Sequence, residues 1–173
     1  MEVDAKECFV NTALVLVDMQ NAFCSKKGSF WTRGGCIADV ATVTGNTKRL
    51  LEAARRARKA VFFTQLVLDQ GEREQGLLAQ KFPAIGALGA YAPGTWDSEI
   101  CSELAPLPDE VVVRKGTYDP FVATSFEGRL REGEIGRLVV AGLLTNVCVE
   151  STVRSAFVRG FEPMVVAEAV ATY

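Results

Sequence analysis

The stretch GRLVVAGLLTNVCVESTVRSAFVRGFEPMVVAEA, residues 136–169, decides the fold class. It opens with a short unbroken apolar run (136–143), the pattern of a strand buried on both faces of a parallel sheet. A helical stretch over 146–159 follows, closed by Gly160 where helices commonly stop. A second apolar run (162–169) completes a strand, helix, strand unit, which is right-handed when the strands are parallel. Working outward, TALVLVD (12–18), AVFFTQL (60–66) and DEVVVRK (109–115) repeat the strand pattern. Residues 38–58, with Val40, Val43, Leu50, Leu51 and Ala54 at helical spacing, and 123–132, closed by Gly133, supply further helices. The alternation predicts an α/β three-layer sandwich with a mostly parallel open sheet of about six strands and helices on both faces. Residues 67–108 lack clear periodicity and are expected to hold a short helix and long loops near the site.

At 173 residues the chain has the length of one domain, expected over 1–173, although a doubly wound sheet calls for one more covering helix after the last strand. With 49% apolar and 23% charged residues the composition is that of a globular protein. A net charge of −2 gives no basic stripe, so nucleic acid is not expected as a partner. The basic cluster Arg55, Arg56, Arg58 and Lys59 reads as a solvated helix end. No run approaches the ~20 apolar residues of a membrane span, and acidic residues precede the first apolar run where a secretory leader would be basic. Five cysteines (Cys8, Cys24, Cys36, Cys101, Cys148) are an odd number without a C-x-x-C pair, which fits a reducing cytoplasm better than a disulfide framework or a thiolate zinc site. The chain has no histidine, so carboxylates, amines, thiols or hydroxyls must carry any chemistry.

Ligand crevices in open α/β sheets lie beyond the carboxyl ends of the strands. Three reactive residues sit there: Asp18 ends ALVLVD, Lys115 ends VVVRK, and Cys148 stands between LVVAGL and the next helix. In the first helical turn and beside an ammonium, Cys148 is expected to favour the thiolate, with Asp18 taking the proton that histidine takes elsewhere. Position alone leaves a second reading open, since a free cysteine is commonly a small buried hydrophobe. Cys148 and Arg154 match the C-x5-R spacing of cysteine phosphatases, but VESTV puts β-branched bulk and Glu150 where phosphate would need bare N–H groups. DMQN (18–21) lacks the second aspartate of haloacid-type phosphatases, and no glycine-rich phosphate loop occurs.

The segments ALVLVDMQNAF (13–23), RKGTYDPF (114–121) and VVAGLLTNVCVESTVRSAFVRGF (139–161) resemble the three signature blocks of isochorismatase-like cysteine hydrolases. The resemblance implies a Rossmann-like fold, Cys148 as nucleophile and Asp18 and Lys115 as its partners. It also implies a cis peptide at Leu143–Leu144 and an oxyanion hole made by the N–H groups of Leu144 and Cys148. Nicotinamidases of this superfamily carry a metal-binding D-x-H after the second strand, where this chain has Leu66 and Leu68, so no metal and no cofactor are expected. Retention of the cysteine favours C–N hydrolysis over cleavage of a vinyl ether.

TNVCVEST around Cys148, Gln65, GTWD (94–97) and Tyr118 are similar to the ureidoacrylate and N-carbamoyl amidohydrolases. That likeness implies a small amide or ureido substrate, a covalent acyl-enzyme and a homo-oligomer. Gln65 and Asn146 would then bind a ureido group, with Phe23, Trp96 and Tyr118 also lining the substrate site. Against this stand ordinary roles: loop bonding for Gln65 and Tyr118, core packing for Phe23 and Trp96, helix capping for Asn146. Other readings kept open are an isochorismatase-type or nicotinamidase-like hydrolase, and a catalytically silent relative that binds a small molecule or a protein.

Overall fold

A computed structural model describes residues 11–68 and 89–173. The strands are β1 (Asn11–Val17), β2 (Ala60–Leu66), β3 (Val111–Lys115), β4 (Ile135–Leu143) and β5 (Glu162–Ala171). The helices are α1 (Asn21–Cys24), α2 (Ser29–Thr32), α3 (Val40–Arg56), α4 (Phe126–Glu132) and α5 (Glu150–Val158). The strands form one parallel sheet in the order β3-β2-β1-β4-β5. Among the described residues the sheet thus has five strands, one fewer than the pattern suggested. Its direction of winding reverses between β1 and β4, which puts the crevice at the carboxyl ends of those two central strands.

β1 explains the layering. Leu14 and Leu16 belong to a core with α3 residues Val40, Val43 and Leu51. Ala13, Val15 and Val17 belong to a second core with Phe126 and Leu130 of α4 and Ala156 of α5. Alternate side chains of one strand point to opposite faces, so a strand buried throughout requires a helical layer on each side.

Two local details depart from the pattern. Gly160 takes the left-handed conformation expected after α5 (φ 82), but Gly133 sits at φ −82 and Glu134 next to it takes φ 51. Arg55 is not merely solvated: its guanidinium holds Glu110 at 2.8 and 2.7 Å and the Ala105 carbonyl at 2.9 Å, fastening α3 to the turn before β3. Of the long region with no clear periodicity, residues 69–88 lie outside the described residues; beyond them are two 3-10 turns, Trp96–Ser98 and Ser102–Leu104.

Gly142 brings β4 against the end of β1. It pairs with Val17 at φ 124, and a Cβ there would lie 2.1 Å from the Val17 carbonyl oxygen. No side chain fits that approach, so the two central strand ends converge at this glycine.

Candidate active site

Asp18 leaves β1 in a left-handed turn (φ 49), with its N–H donating to both the carbonyl and the hydroxyl of Thr64, each at 3.2 Å. Thr64 pairs with Val17 on β2, and its Oγ1 donates to Asp18 Oδ1 at 2.6 Å. The other carboxylate oxygen accepts from Lys115 Nζ at 2.7 Å, and both side chains of this ion pair are fully buried. Lys115 does not come from a neighbouring strand, because β2 lies between β3 and β1. Two strand spacings are roughly 10 Å, a gap bridged by the lysine stem and the Asp18 side chain together. Lys115 Nζ also donates to the Thr117 carbonyl at 3.0 Å, and Cys148 lies beside it.

Cys148 completes the group, its thiol within hydrogen-bonding reach of both Asp18 and Lys115. It lies in a π-type turn, Thr145–Val149, that leads into α5, and it is only 5% exposed. The Leu144 carbonyl accepts from the N–H groups of Val147 (3.1 Å) and Val149 (3.2 Å) but not from that of Cys148 between them. The Leu143–Leu144 peptide is cis, as the resemblance implied.

The surroundings of the thiol bear on the expected thiolate. Burial pushes the Cys148 thiol up, and the Asp18 carboxylate adds to this more than the Lys115 ammonium subtracts. Burial alone would lower Lys115, but the Asp18 charge and then the Cys148 sulfur hold it above the usual lysine range. The ammonium is bonded to the carboxylate, so its pull on the thiol is outweighed, and Asp18 stands beside the thiol as a proton acceptor.

Cys148 lines a cavity of about 190 Å³ walled, among the described residues, by Phe23, Phe30, Leu66, Leu68, Tyr91, Tyr118, Leu144, Val147 and Tyr173 together with Arg33. By comparison with the ~150 Å³ that accommodates benzene, this is room for about eight non-hydrogen atoms. Phe23 and Tyr118 are in the wall of this cavity. Gln65 is not: its Nε2 donates to the Ser98 carbonyl at 2.7 Å, the loop-bonding role. Trp96 is 49% exposed and does not line this cavity. Asn146 also lies outside the wall, accepting from the Thr172 hydroxyl, and it caps no helix. Leu66 and Leu68, where the nicotinamidase pattern would place metal ligands, are apolar walls. Arg154 pairs with Glu150 at 2.7 Å on the exposed side of α5, away from any phosphate-loop role.

Residue-by-residue reading missed four contributors. Thr64 holds Asp18. Gln20 ties β1 to β2 by accepting from Leu66 N–H (2.8 Å) and donating to the Leu66 carbonyl (2.9 Å), and it bonds the Ser98 carbonyl besides. Arg33 and Tyr91 reach the cavity from loops. The position of Gln20, two after Asp18, was the available signal for it; the others needed register or loop geometry. Among the described residues no cluster of His, Cys, Asp or Glu has the makings of a metal site, and no helix is long and apolar enough to cross a membrane.

Comparison with known proteins agrees with this architecture. A family model described as "Isochorismatase domain" matches residues 12–173. Ureidoacrylate amidohydrolase RutB of Stutzerimonas stutzeri (strain A1501) is 34% identical over 171 residues, covering 91% of this chain and 68% of the relative. Among solved structures, a cysteine hydrolase from Pseudomonas syringae pv. phaseolicola 1448A superposes with a TM-score of 0.85 at 28% identity, covering 94% of this chain and 73% of that one. N-carbamoylsarcosine amidase from Thermoplasma acidophilum gives 0.76 at 27% identity, covering 94% and 85%. With the family model matching residues 12–173 and a relative 34% identical over 171 residues, the chain belongs to the isochorismatase family.

Proposed function

We propose that this chain is an amidohydrolase that cleaves a non-peptide C–N bond in a small amide or ureido compound, with Cys148 as nucleophile and Asp18 and Lys115 as its partners. The observation that carries the reading is the buried Lys115–Asp18 pair at 2.7 Å with the Cys148 thiol in reach of both, at the wall of a small cavity. The names of the relatives, ureidoacrylate amidohydrolase and N-carbamoylsarcosine amidase, support the bond type.

Because burial and Asp18 raise the thiol's hold on its proton, attack is coupled to proton transfer. Cys148 Sγ bonds to the substrate carbonyl carbon as its proton passes to Asp18. The negative charge that develops on the carbonyl oxygen is met by the N–H groups of Leu144 and Cys148. Lys115 holds the Asp18 side chain in line through their hydrogen bond. Collapse breaks the C–N bond, Asp18 returns the proton to the leaving nitrogen, and an S-acyl or S-carbamoyl enzyme remains. Water gives a proton to Asp18 and attacks the same carbon, breaking the C–S bond. The acid or carbamate departs and Sγ regains a proton.

Hydrolysis of a panel of N-carbamoyl compounds and amides, followed by amine release, tests the reading. Cys148→Ala abolishes turnover while leaving the fold intact, and Asp18→Asn is nearly as damaging because the residues act as a unit. Undiminished turnover by Cys148→Ala would refute nucleophilic catalysis.

A further inference from the structure

We propose that Cys24 and Cys101 are a redox-reactive pair that peroxide converts to a reversible disulfide, a modification site beside the cavity wall and separate from Cys148. The backbone brings the two positions together. Gln20 and Ile100 form an antiparallel bridge, flanked by bonds from Cys101 N–H to the Met19 carbonyl and from Asn21 N–H to the Glu99 carbonyl, each 2.9 Å. α1 then turns back, so that Cys24 N–H reaches the Gln20 carbonyl at 2.8 Å and Cys24 stacks one helical turn above the bridge. Both side chains enter the same apolar core, Cys101 buried and Cys24 partly so, and their thiols lie beside one another. That core is the one packed on α3, whereas Cys148 belongs to the core on the other face of the sheet.

A thiol beside a sulfur anion stabilises it. The contact with Cys24 lowers the Cys101 thiol against its burial, and the contact with Cys101, reinforced by burial, raises that of Cys24. The pair thus releases one proton more easily than a lone buried thiol and holds the second, leaving a negative charge shared by two sulfurs. Of the two, Cys24 is the one nearer solvent. As the anion, its Sγ attacks one peroxide oxygen, the O–O bond breaks, and the hydroxide released takes up the proton that the pair gave up. Cys101 Sγ then attacks the Cys24 sulfenic sulfur and displaces its hydroxyl, which leaves with the Cys101 proton as a second water. Two thiols lose two electrons, and one peroxide becomes two waters. Because Phe23, next to Cys24, is in the cavity wall, the cross-link fixes a turn that helps to form the site.

The test treats reduced wild type with hydrogen peroxide, blocks the remaining thiols with N-ethylmaleimide and maps the digest without reductant. A Cys24–Cys101 linked peptide should appear and be lost after dithiothreitol. The link closes a loop of about 80 residues, so the oxidised protein should melt roughly 5–15 °C above the reduced one. Cys24→Ser and Cys101→Ala should each abolish that rise, and in Cys101→Ala dimedone should trap Cys24 as its sulfenic acid. If a variant does not fold, the wild-type digest decides. Free Cys24 and Cys101 after Cys36 or Cys148 has been oxidised, linkage of either to another cysteine, or an oxidised form that melts no higher than the reduced one overturns the proposal.

Discussion

Replacing Lys115 by methionine removes one ammonium from a fully buried pair while keeping most of the stem's volume, so little cavity cost confuses the result. The Asp18 carboxylate then retains the Thr64 hydroxyl but loses its counter-ion at 2.7 Å. Breaking a buried pair from one side costs about 3–5 kcal/mol, most of it the burial of an uncompensated charge. For a chain of this size each kcal/mol moves Tm by about 2–4 °C, so Lys115→Met should melt roughly 6–20 °C below wild type. Urea unfolding should give the same loss with an unchanged slope. Asp18→Asn, which strands the ammonium instead, should cost a similar amount. The double variant should lose less than the two singles together, with a coupling of at least about 2 kcal/mol. A single-variant loss below about 1 kcal/mol, the worth of an exposed pair, or strictly additive losses would refute the buried-pair reasoning.

Alkaline pH supplies a second prediction. Burial and Asp18 raise the Cys148 thiol above 9.0, and Asp18 and Cys148 raise Lys115 above 10.5 against its desolvation. A group raised by folding stabilises fully below its unfolded value and loses that contribution as pH climbs through its folded one. Stability from these two groups is therefore level near neutrality and falls above about pH 9, and Cys148→Ala should remove the earlier part of the decline, measurable by urea unfolding. By the same reasoning Cys148 should be alkylated more slowly than the exposed Cys36 near neutral pH; faster labelling, read by peptide mapping, would contradict the protonated thiol. Thr64→Val removes the hydroxyl 2.6 Å from Asp18 and should lower kcat about tenfold, with Thr64→Ser restoring most of it. Steady-state kinetics of the two variants check this, and equal activity of valine and serine would show that the hydroxyl is not needed.

Much of the architecture was legible because β1 announces it. ALVLVD is apolar without alternation, which only a strand covered on both faces tolerates, and it ends in a charge at the edge where parallel sheets put their crevice. Lys115 and the Cys148 turn follow the same rule. Thr64 escaped because its importance depends on pairing with Val17, and register between distant strands is not written in either strand alone. Arg33 and Tyr91 escaped because loop geometry brings them together. The thiol's surroundings were not legible because they depend on which partner the ammonium takes: a lysine beside the sulfur lowers the thiol, but burial and a carboxylate bonded to that lysine raise it. Gln65 and Trp96 were given as pocket residues by the resemblance, yet side chains alternate along a strand and a 3-10 turn can present a ring to solvent, so neither direction was fixed by the pattern.

The central claim is covalent, and an acid-quenched turnover tests it most directly. Enzyme mixed with a hydrolysable substrate, stopped within the first turnovers and mapped by mass spectrometry, should carry the substrate's acyl or carbamoyl group on the peptide holding Cys148. That group should appear and decay at rates consistent with turnover. Complete turnover with Cys148 unmodified at every time point, or an adduct on another residue, would contradict the account.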